Sequence, residues 1–206
     1  YIYSFFKGAG LELQCTEDGS QNICNWNSTD TNYKGTDVAE AMLAIAQHDG
    51  FLNGADESFL NGVADGSIIA GVNGAWNAEK VKAAYGEGYA ACKLPSYTIA
   101  GNKVQMCSFS GYKLVGVNKY TKSPEWSVKL AEWITNEENQ LKRFASTGEC
   151  PADINAAAHS SVQASPAISA LSEQSLYGYT QRVADAFWNP SRMFGTTIAG
   201  GNADNK

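Results

Sequence analysis

Two tryptophans and one arginine are the residues of this sequence whose types and spacing best suit ligand binding. Trp76 ends a glycine-containing turn, where a predicted strand gives way to a predicted helix, and such a rim position favours stacking on a ligand. Trp188 is followed four residues later by Arg192, so a helix would place both side chains on one face. Aromatic planes match the C–H faces of a sugar, and a guanidinium group matches its hydroxyls. These residues therefore predict carbohydrate binding, and not catalysis.

Packing in the hydrophobic core is the alternative interpretation for each tryptophan. We prefer it for Trp26, Trp126 and Trp133, since none of them combines a turn with a nearby arginine. The alternative interpretation for Arg192 is that it is a solvated residue on the surface of a helix and does not bind a ligand. The functional interpretation is kept for Trp76 and Trp188.

The spacing of nucleophilic and basic residues does not favour an enzyme. Cys150, His48 and His159 could be combined with Asp49 or Asp153 as a nucleophile, a base and an orienting group. However, one histidine follows a predicted helix and the other lies in a stretch rich in alanine and serine. A glycosidase needs two carboxylates across a cleft, and no acidic pair stands out. We predict no catalytic residue, no metal site and no cofactor.

Four of the five cysteines flank predicted loops. Cys15 and Cys24 enclose a polar loop, and Cys92 and Cys107 flank a predicted hairpin that turns at residues 100–102. Each pair can close a short disulfide loop or consist of reduced neighbours. The fifth cysteine is predicted to be a free, half-buried thiol.

Charge and hydropathy argue against two kinds of partner. The 206 residues carry 15 Lys and Arg against 21 Asp and Glu, for a formal net charge of −6, and the basic residues are scattered, which predicts no nucleic-acid surface. No apolar run approaches the roughly 18 residues of a membrane span.

The chain begins with four aromatics among six residues, and its start shows neither Met nor a signal-peptide pattern. We therefore expect it to be part of a longer protein.

Apolar periodicity and turn residues predict helices that alternate with strands. The main predicted helices cover residues 38–46, 58–64, 77–85 and 124–134, with a further one around 141–144. From residue 156 onward the chain is predicted to be helical, with breaks at Ser165, Pro166 and Gly178 and an interruption at Pro190. The predicted strands cover residues 68–72, 89–94 and 111–117. The strand-helix-strand order indicates an α/β fold with a mostly parallel sheet.

Seven short motifs occur in a specific order along nearly the whole chain. They lie at residues 5–10 (FFKGAG), 72–76 (VNGAW), 114–118 (LVGVN), 123–125 (SPE), 131–135 (AEWIT), 147–152 (TGECPA) and 186–188 (AFW). In this order they resemble bacterial extracellular solute-binding proteins of the maltose/maltodextrin-binding type, which are the substrate receptors of sugar ABC importers. Any one motif would be weak support, but their joint order is specific.

The resemblance implies a fold and a division of the chain. The fold is a periplasmic-binding-protein-like (type II) α/β lobe, with a mostly parallel sheet flanked by helices and an incomplete second lobe. Residues 1–108 would be the first part of the carboxy-terminal lobe, 109–150 an excursion resembling part of the amino-terminal lobe, and 151–206 further carboxy-terminal-lobe helices. Most of the amino-terminal lobe would precede Tyr1. Apolar surface would then be exposed, and we expect self-association or rearranged packing.

The resemblance also implies a function and a binding site. The chain would be a fragment of the receptor, binding a maltose- or maltodextrin-like oligosaccharide and meeting the permease subunits of the importer. The parent protein would lie at the extracellular face through a lipid anchor, or in the periplasm. The implied ligand-binding residues are Tyr1 or Tyr3, Asn73, Trp76, Trp188 and Arg192. Two alternatives stay open: a self-contained surface module that binds carbohydrate or protein, and a glycan-processing enzyme.

Overall fold

A computed structural model describes residues 1–54 and 56–203. Its α-helices are α1 (Ile2–Gly8), α2 (Gly35–Ala46), α3 (Asp56–Asp65), α4 (Ala78–Tyr85), α5 (Pro124–Thr135), α6 (Glu137–Thr147), α7 (Ile154–Ala158), α8 (Ser160–Gln163), α9 (Pro166–Ser175) and α10 (Trp188–Ala199). Its strands are β1 (Leu13–Cys15), β2 (Asn22–Cys24), β3 (Ser96–Ile99), β4 (Asn102–Gln105), β5 (Ser108–Ser110) and β6 (Gly178–Thr180). Single 3-10 turns cover Ala75–Asn77, Gly86–Gly88 and Asp185–Phe187. None of these helices is long and apolar enough to cross a bilayer.

The chain forms two compact units. Unit 1 consists of Tyr1–Gly54, Leu94–Gly111 and Gln174–Lys206. Unit 2 consists of Ala55–Lys93 and Tyr112–Glu173. The predicted excursion at 109–150 begins close to the point where the chain enters the second segment of unit 2, but that segment continues to Glu173.

Unit 1 contains three two-stranded sheets in the part of the chain that the structure describes. β1 pairs with β2 and β3 with β4, both antiparallel, and β5 pairs with β6 in parallel. As predicted, the β3–β4 hairpin turns at residues 100–101, where Gly101 has a φ of 81° that suits glycine. The core forms where the apolar faces of α1, α2 and β3 meet. Its most buried side chains include Phe6, Leu11, Val38, Met42, Tyr97 and Ile99.

Unit 2 is mainly helical, and its helices have clear start and stop signals. The Asn136 side chain accepts a hydrogen bond of 2.9 Å from the Asn139 backbone N–H at the start of α6, which satisfies a donor that the helix leaves unpaired. The same helix ends at Gly148, whose φ of 70° is left-handed and typical of a glycine cap. The α4 helix at Ala78–Tyr85 confirms the helix predicted at 77–85.

The three predicted strands at 68–72, 89–94 and 111–117 are wrong. None of these segments pairs with another strand in the described part of the chain, and Ile69 and Leu114 are 87% and 89% exposed. A strand exists only through hydrogen bonds to a neighbour, and apolar composition alone does not supply one. Parallel pairing is therefore limited to β5 and β6 among the described residues.

Two of the three tryptophans expected to pack do not. Trp126 and Trp133 on α5 are 72% and 59% exposed, and α5 has no buried residue. Trp26 does pack, with its ring centroid 4.0 Å from that of Phe6. Periodicity identifies the apolar face of a helix, but only a neighbouring element can bury that face.

The predicted interruption at Pro190 is also wrong. The α10 helix runs unbroken from Trp188 to Ala199, so Pro190 occupies its first turn. Backbone N–H groups in a first turn have no acceptor within the helix, and proline removes no hydrogen bond there. The helical relation between Trp188 and Arg192 is therefore preserved.

All five cysteines are unbridged thiols in this structure. In the β1–β2 register, Cys15 faces Asn22 and Cys24 faces Leu13, so the two cysteines are diagonal neighbours. Diagonal positions lie about 7–8 Å apart, beyond the usual Cα separation of about 4.4–6.8 Å in a disulfide. Cys92 is exposed, whereas Cys107 is buried. The two disulfides stay predictions.

Candidate functional site

Trp188 is a half-exposed ring held by other aromatic rings. It is the first residue of α10 and is 44% exposed. The ring centroid of Phe187 lies 5.1 Å away at 68°, and that of Phe109 lies 6.3 Å away at 61°. Such edge-to-face contacts are favourable. They fix the orientation of Trp188 while part of its surface stays available to a ligand.

Arg192 lies four residues after Trp188 on the same helix, so the two side chains share a face. Arg192 is exposed, and within the described part of the chain its side chain makes no hydrogen bond or ion pair. Its guanidinium group has five N–H donors in a fixed plane. An aromatic plane and a multi-donor group thus lie side by side on α10.

Behind Trp188, the aromatic rings continue into the core of unit 1. Tyr3 stacks on Phe109 with centroids 3.9 Å apart. Phe187 meets Phe109 at 6.3 Å and Trp26 at 6.2 Å. Trp188 is therefore the exposed member of a continuous ring cluster. No sequence pattern predicted the contact with Phe109, which is far from Trp188 along the chain.

The structure separates the two tyrosines that the resemblance left as alternatives. Tyr3 is 6% exposed, and its ring is covered by Phe109. Burial, together with the charges of Cys107 and Glu12, raises the pKa of Tyr3 to about 12, so its hydroxyl stays protonated. Tyr1 is 71% exposed, so of these two tyrosines it is the one that lies at the surface of unit 1.

Trp76 lies in unit 2, in the 3-10 turn directly before α4, and is 56% exposed. The turn is built by Asn73, whose side-chain oxygen accepts hydrogen bonds from the Gly74 backbone N–H (2.7 Å) and from Asn77 Nδ2 (3.0 Å). Because Asn77 is buried, these bonds attach the turn to the unit. The turn and the following helix confirm the local prediction for Trp76, although the strand expected before them is absent.

Asp56 is a neighbour of Trp76 that sequence reasoning missed. The indole N–H of Trp76 donates a 3.2 Å hydrogen bond to Asp56 Oδ2. The two residues are 20 positions apart, so no local spacing connects them. The only available signal was the acidic first turn of α3.

The cysteine and the two histidines considered for nucleophilic catalysis each contact other groups. Burial raises the pKa of the Cys150 thiol, which lowers the fraction of reactive thiolate at neutral pH, and Cys150 Sγ lies 3.5 Å from the Pro151 carbonyl oxygen. His48 Nδ1 accepts from the Gly50 N–H at 3.1 Å. His159 Nδ1 and Ser161 Oγ are 2.8 Å apart at the start of α8. No hydrogen bond joins Cys150 to a histidine within the described residues.

Trp76 lines neither of two open grooves found in unit 2. Their volumes are about 480 and 260 Å³, and Glu79 and Lys82 line both. Within residues 1–54 and 56–203, no group of three or more His, Cys, Asp or Glu residues is placed to hold a metal ion. Neither groove is lined by Trp76 or Trp188, whose exposed rings offer flat apolar surfaces.

The fold is shared with solved sugar-binding proteins. A structure solved with acarbose matches 98% of this chain and 52% of its own, with a TM-score of 0.74 and 29% identity. Maltodextrin binding protein MalE1 from L. casei BL23, solved without ligand, matches at a TM-score of 0.76 and 22% identity over 98% of this chain and 54% of its own. The maltose-maltodextrin binding protein of Alicyclobacillus acidocaldarius matches with a TM-score of 0.61 and 19% identity. This match covers 97% of this chain and 54% of that protein's chain. The fold is thus of the periplasmic-binding-protein-like, type II class, as the motifs predicted.

Sequence comparison gives the family. The profile described as bacterial extracellular solute-binding protein matches residues 13–170. The galactooligosaccharide-binding protein of Bacillus subtilis (strain 168) is 32% identical over 145 residues, which is 69% of this chain and 34% of that protein. The chain belongs to the bacterial extracellular solute-binding proteins, which confirms the resemblance.

The chain is shorter than the proteins it matches. It spans about half the length of the solved structures and 34% of the Bacillus protein. These relatives are solute-binding proteins and not enzymes. Membership of an extracellular family implies an extracellular or periplasmic location.

Proposed function

We propose that this chain is part of the substrate receptor of an ABC sugar importer and that it binds a maltodextrin-like oligosaccharide. The observation that carries the proposal is the pairing of Trp188 with Arg192 on α10, where a half-exposed, supported ring lies beside a guanidinium group without a polar partner in the described chain. The ring can cover the C–H face of a pyranose while the guanidinium donates to its hydroxyls.

The substrate class is supported by the names of the relatives. The Bacillus protein binds galactooligosaccharide, and the matching structures include a complex with acarbose and a maltodextrin-binding protein. All of these ligands are oligosaccharides with several pyranose rings. We infer that Trp76 with Asn73 contacts sugar on the surface of unit 2, and that Tyr1 does so on the surface of unit 1. Tyr3 would act behind them, through its stack on Phe109.

The other parts of the proposal concern the parent protein. A receptor of this class hands its sugar to the permease subunits of the importer, and we propose these as its protein partners. A lipid anchor on the extracellular face, or a free periplasmic form, would keep the receptor beside the permease.

Isothermal titration calorimetry with maltotriose, a galactooligosaccharide and acarbose tests the proposal. We expect saturable heat with at least one sugar, for this chain or for the complete product of its gene, and no release of glucose on incubation. Binding by the 206 residues alone would favour a self-contained module, and binding by the complete product alone would favour a part of a receptor. If neither form binds any of the three sugars, the proposal is wrong. Glucose release that Cys150→Ser abolishes would instead establish an enzyme.

The exposed apolar face of α5 favours a second property, self-association. Trp126, Leu130 and Trp133 follow helical spacing on this face and are 72%, 55% and 59% exposed. Neighbouring exposed rings of this kind usually mark an interaction surface. We expect the purified chain to show a mass above that of the monomer in light scattering, rising with concentration.

Serine substitutions at Trp126, Leu130 and Trp133 should return the mass to that of the monomer. The same exchange at Ile23 and Leu52, which are 52% and 66% exposed on unit 1, is the matched control and should leave the association unchanged. A monomeric mass for the unmodified chain at all concentrations would rule out association through α5.

A further inference from the structure

The side chain of Trp76 is held on two sides. On one side, its indole N–H donates to Asp56 Oδ2 at 3.2 Å. On the other side the ring lies against Gly74, where a Cβ atom would come within 2.2 Å of ring carbons. That distance is far too short for a real contact, so the ring can take this position only because residue 74 is glycine. The turn and the carboxylate together fix the ring while 56% of Trp76 stays exposed.

Asp56 has acceptor capacity beyond this one hydrogen bond. It is exposed, and within the described residues the Trp76 indole is the only hydrogen-bond partner of its carboxylate. An ionised carboxylate offers about four lone-pair positions on two oxygens. Asp56 is also the first residue of α3, a ten-residue helix, and a negative charge is favourable at that end of a helix.

The carboxylate lies at the edge of the ring, because the indole N–H lies in the ring plane. A pyranose stacked on the exposed face of Trp76 would direct its equatorial hydroxyls outward, along the ring plane. A hydroxyl that extends past the nitrogen edge of the indole would meet the carboxylate. Hydrogen bonds from a hydroxyl to a carboxylate are short and about twice as strong as neutral ones.

We propose that Asp56 is a sugar-binding residue of the Trp76 surface, which orients the indole and accepts a hydrogen bond from a hydroxyl of the stacked pyranose. This inference rests on the proposed function, since it assigns a hydroxyl-binding role to a residue beside Trp76, which that function makes a sugar contact. It makes Asp56 a determinant of specificity as well. A site built around a hydroxyl rejects an analogue that lacks it, because an acceptor that the bound ligand shields from water then loses that partner.

Three single variants separate the two roles of Asp56. Asp56→Ala removes both the indole acceptor and the charge, whereas Asp56→Asn keeps a carbonyl oxygen for the indole and removes the charge. Glu57→Gln is the matched control, because Glu57 is also exposed and in the first turn of α3 but makes no hydrogen bond to Trp76. Thermal unfolding by circular dichroism checks that all three variants fold like the unmodified protein.

Two measurements are made on each variant. Calorimetry gives the affinity of each variant for the sugar that the unmodified protein binds. It uses whichever form binds that sugar, either the 206-residue chain or the complete product of its gene. Fluorine NMR of protein labelled with 5-fluorotryptophan reports the orientation of the Trp76 ring without any ligand, and Trp76→Phe assigns its resonance. We expect Asp56→Ala to weaken binding about tenfold or more and to move the Trp76 resonance. Asp56→Asn should weaken binding less and leave the resonance near its original position, and Glu57→Gln should change neither.

The outcomes distinguish this inference from the function on which it rests. If the unmodified protein binds sugar and Asp56→Ala binds it equally well, the role of Asp56 is disproved and the proposed function stands. An Asp56→Ala variant that binds weakly, with an unmoved Trp76 resonance, would contradict the orienting role. If the unmodified protein binds no sugar in either form, the proposed function and this inference both fail.

Discussion

Trp188→Ala is expected to weaken oligosaccharide binding by about 1 to 3 kcal/mol, which is roughly 5- to 150-fold in Kd. The reason is that the variant removes the stacking plane and exposes the sugar face to water again, while the rest of α10 keeps its position. Phe187 and Phe109 already hold the ring in place through edge contacts. Trp188 therefore loses little conformational entropy when a sugar binds. Calorimetry with the sugar that the unmodified protein binds measures the change.

Graded variants on α10 test the physical explanation. Trp188→Phe keeps an aromatic plane and should lose less affinity than Trp188→Ala. Arg192→Lys keeps the charge but loses the planar set of donors, and we expect weaker binding from it as well. Trp133→Ala is the matched control, because Trp133 is an exposed helical tryptophan, 59% accessible, that has no proposed contact with sugar. Equal affinities for Trp188→Ala and the unmodified protein would remove Trp188 from the site.

Leu11→Ala is expected to lower the free energy of unfolding of unit 1 by about 2 to 5 kcal/mol. Leu11 is 0% exposed and belongs to the cluster in which α1, α2 and β3 meet. Its truncation removes buried apolar atoms and leaves a cavity among backbone elements that can close only in part. Urea unfolding followed by circular dichroism should show a lower midpoint for the transition of unit 1.

The control for this stability change is Leu52→Ala. The chemical change is the same, but Leu52 is 66% exposed in unit 1, and such surface substitutions usually stay within about 0.5 kcal/mol. A midpoint for Leu11→Ala that equals the midpoint for Leu52→Ala would show that this cluster does not determine the stability of unit 1. Because the chain has two compact units, the two transitions are fitted separately if they do not coincide.

Helices and turns could be predicted where the residues that determine them lie close together in the sequence. The helices α4 and α6 lie where helices were predicted, and the caps of α6 at Asn136 and Gly148 are local to that helix. The β3–β4 hairpin follows from its Ala-Gly-Asn turn. In each case the interactions that form the element lie within a few residues of one another, so the sequence contains most of the required information.

Strand pairing and burial were not predictable in the same way. The segments 68–72, 89–94 and 111–117 have the composition of strands, yet they find no partner in the described chain. Trp126 and Trp133 occupy the apolar face of an amphipathic helix, yet they are exposed. A partner strand or a covering element is a property of the tertiary arrangement, and composition cannot reveal it.

For the candidate site, the sequence by itself determined which groups are present and their local spacing. It gave Trp76 at a turn before a helix, Trp188 and Arg192 one helical turn apart, and the order of motifs that identifies the family. Only the tertiary structure decided which of these groups reach solvent and what holds them. It buried Tyr3 and exposed Tyr1, and it brought Phe109 to Trp188 and Asp56 to Trp76. The physical reason is that stacking and hydrogen bonding act over a few ångströms in space, while these partners are 20 or more residues apart along the chain.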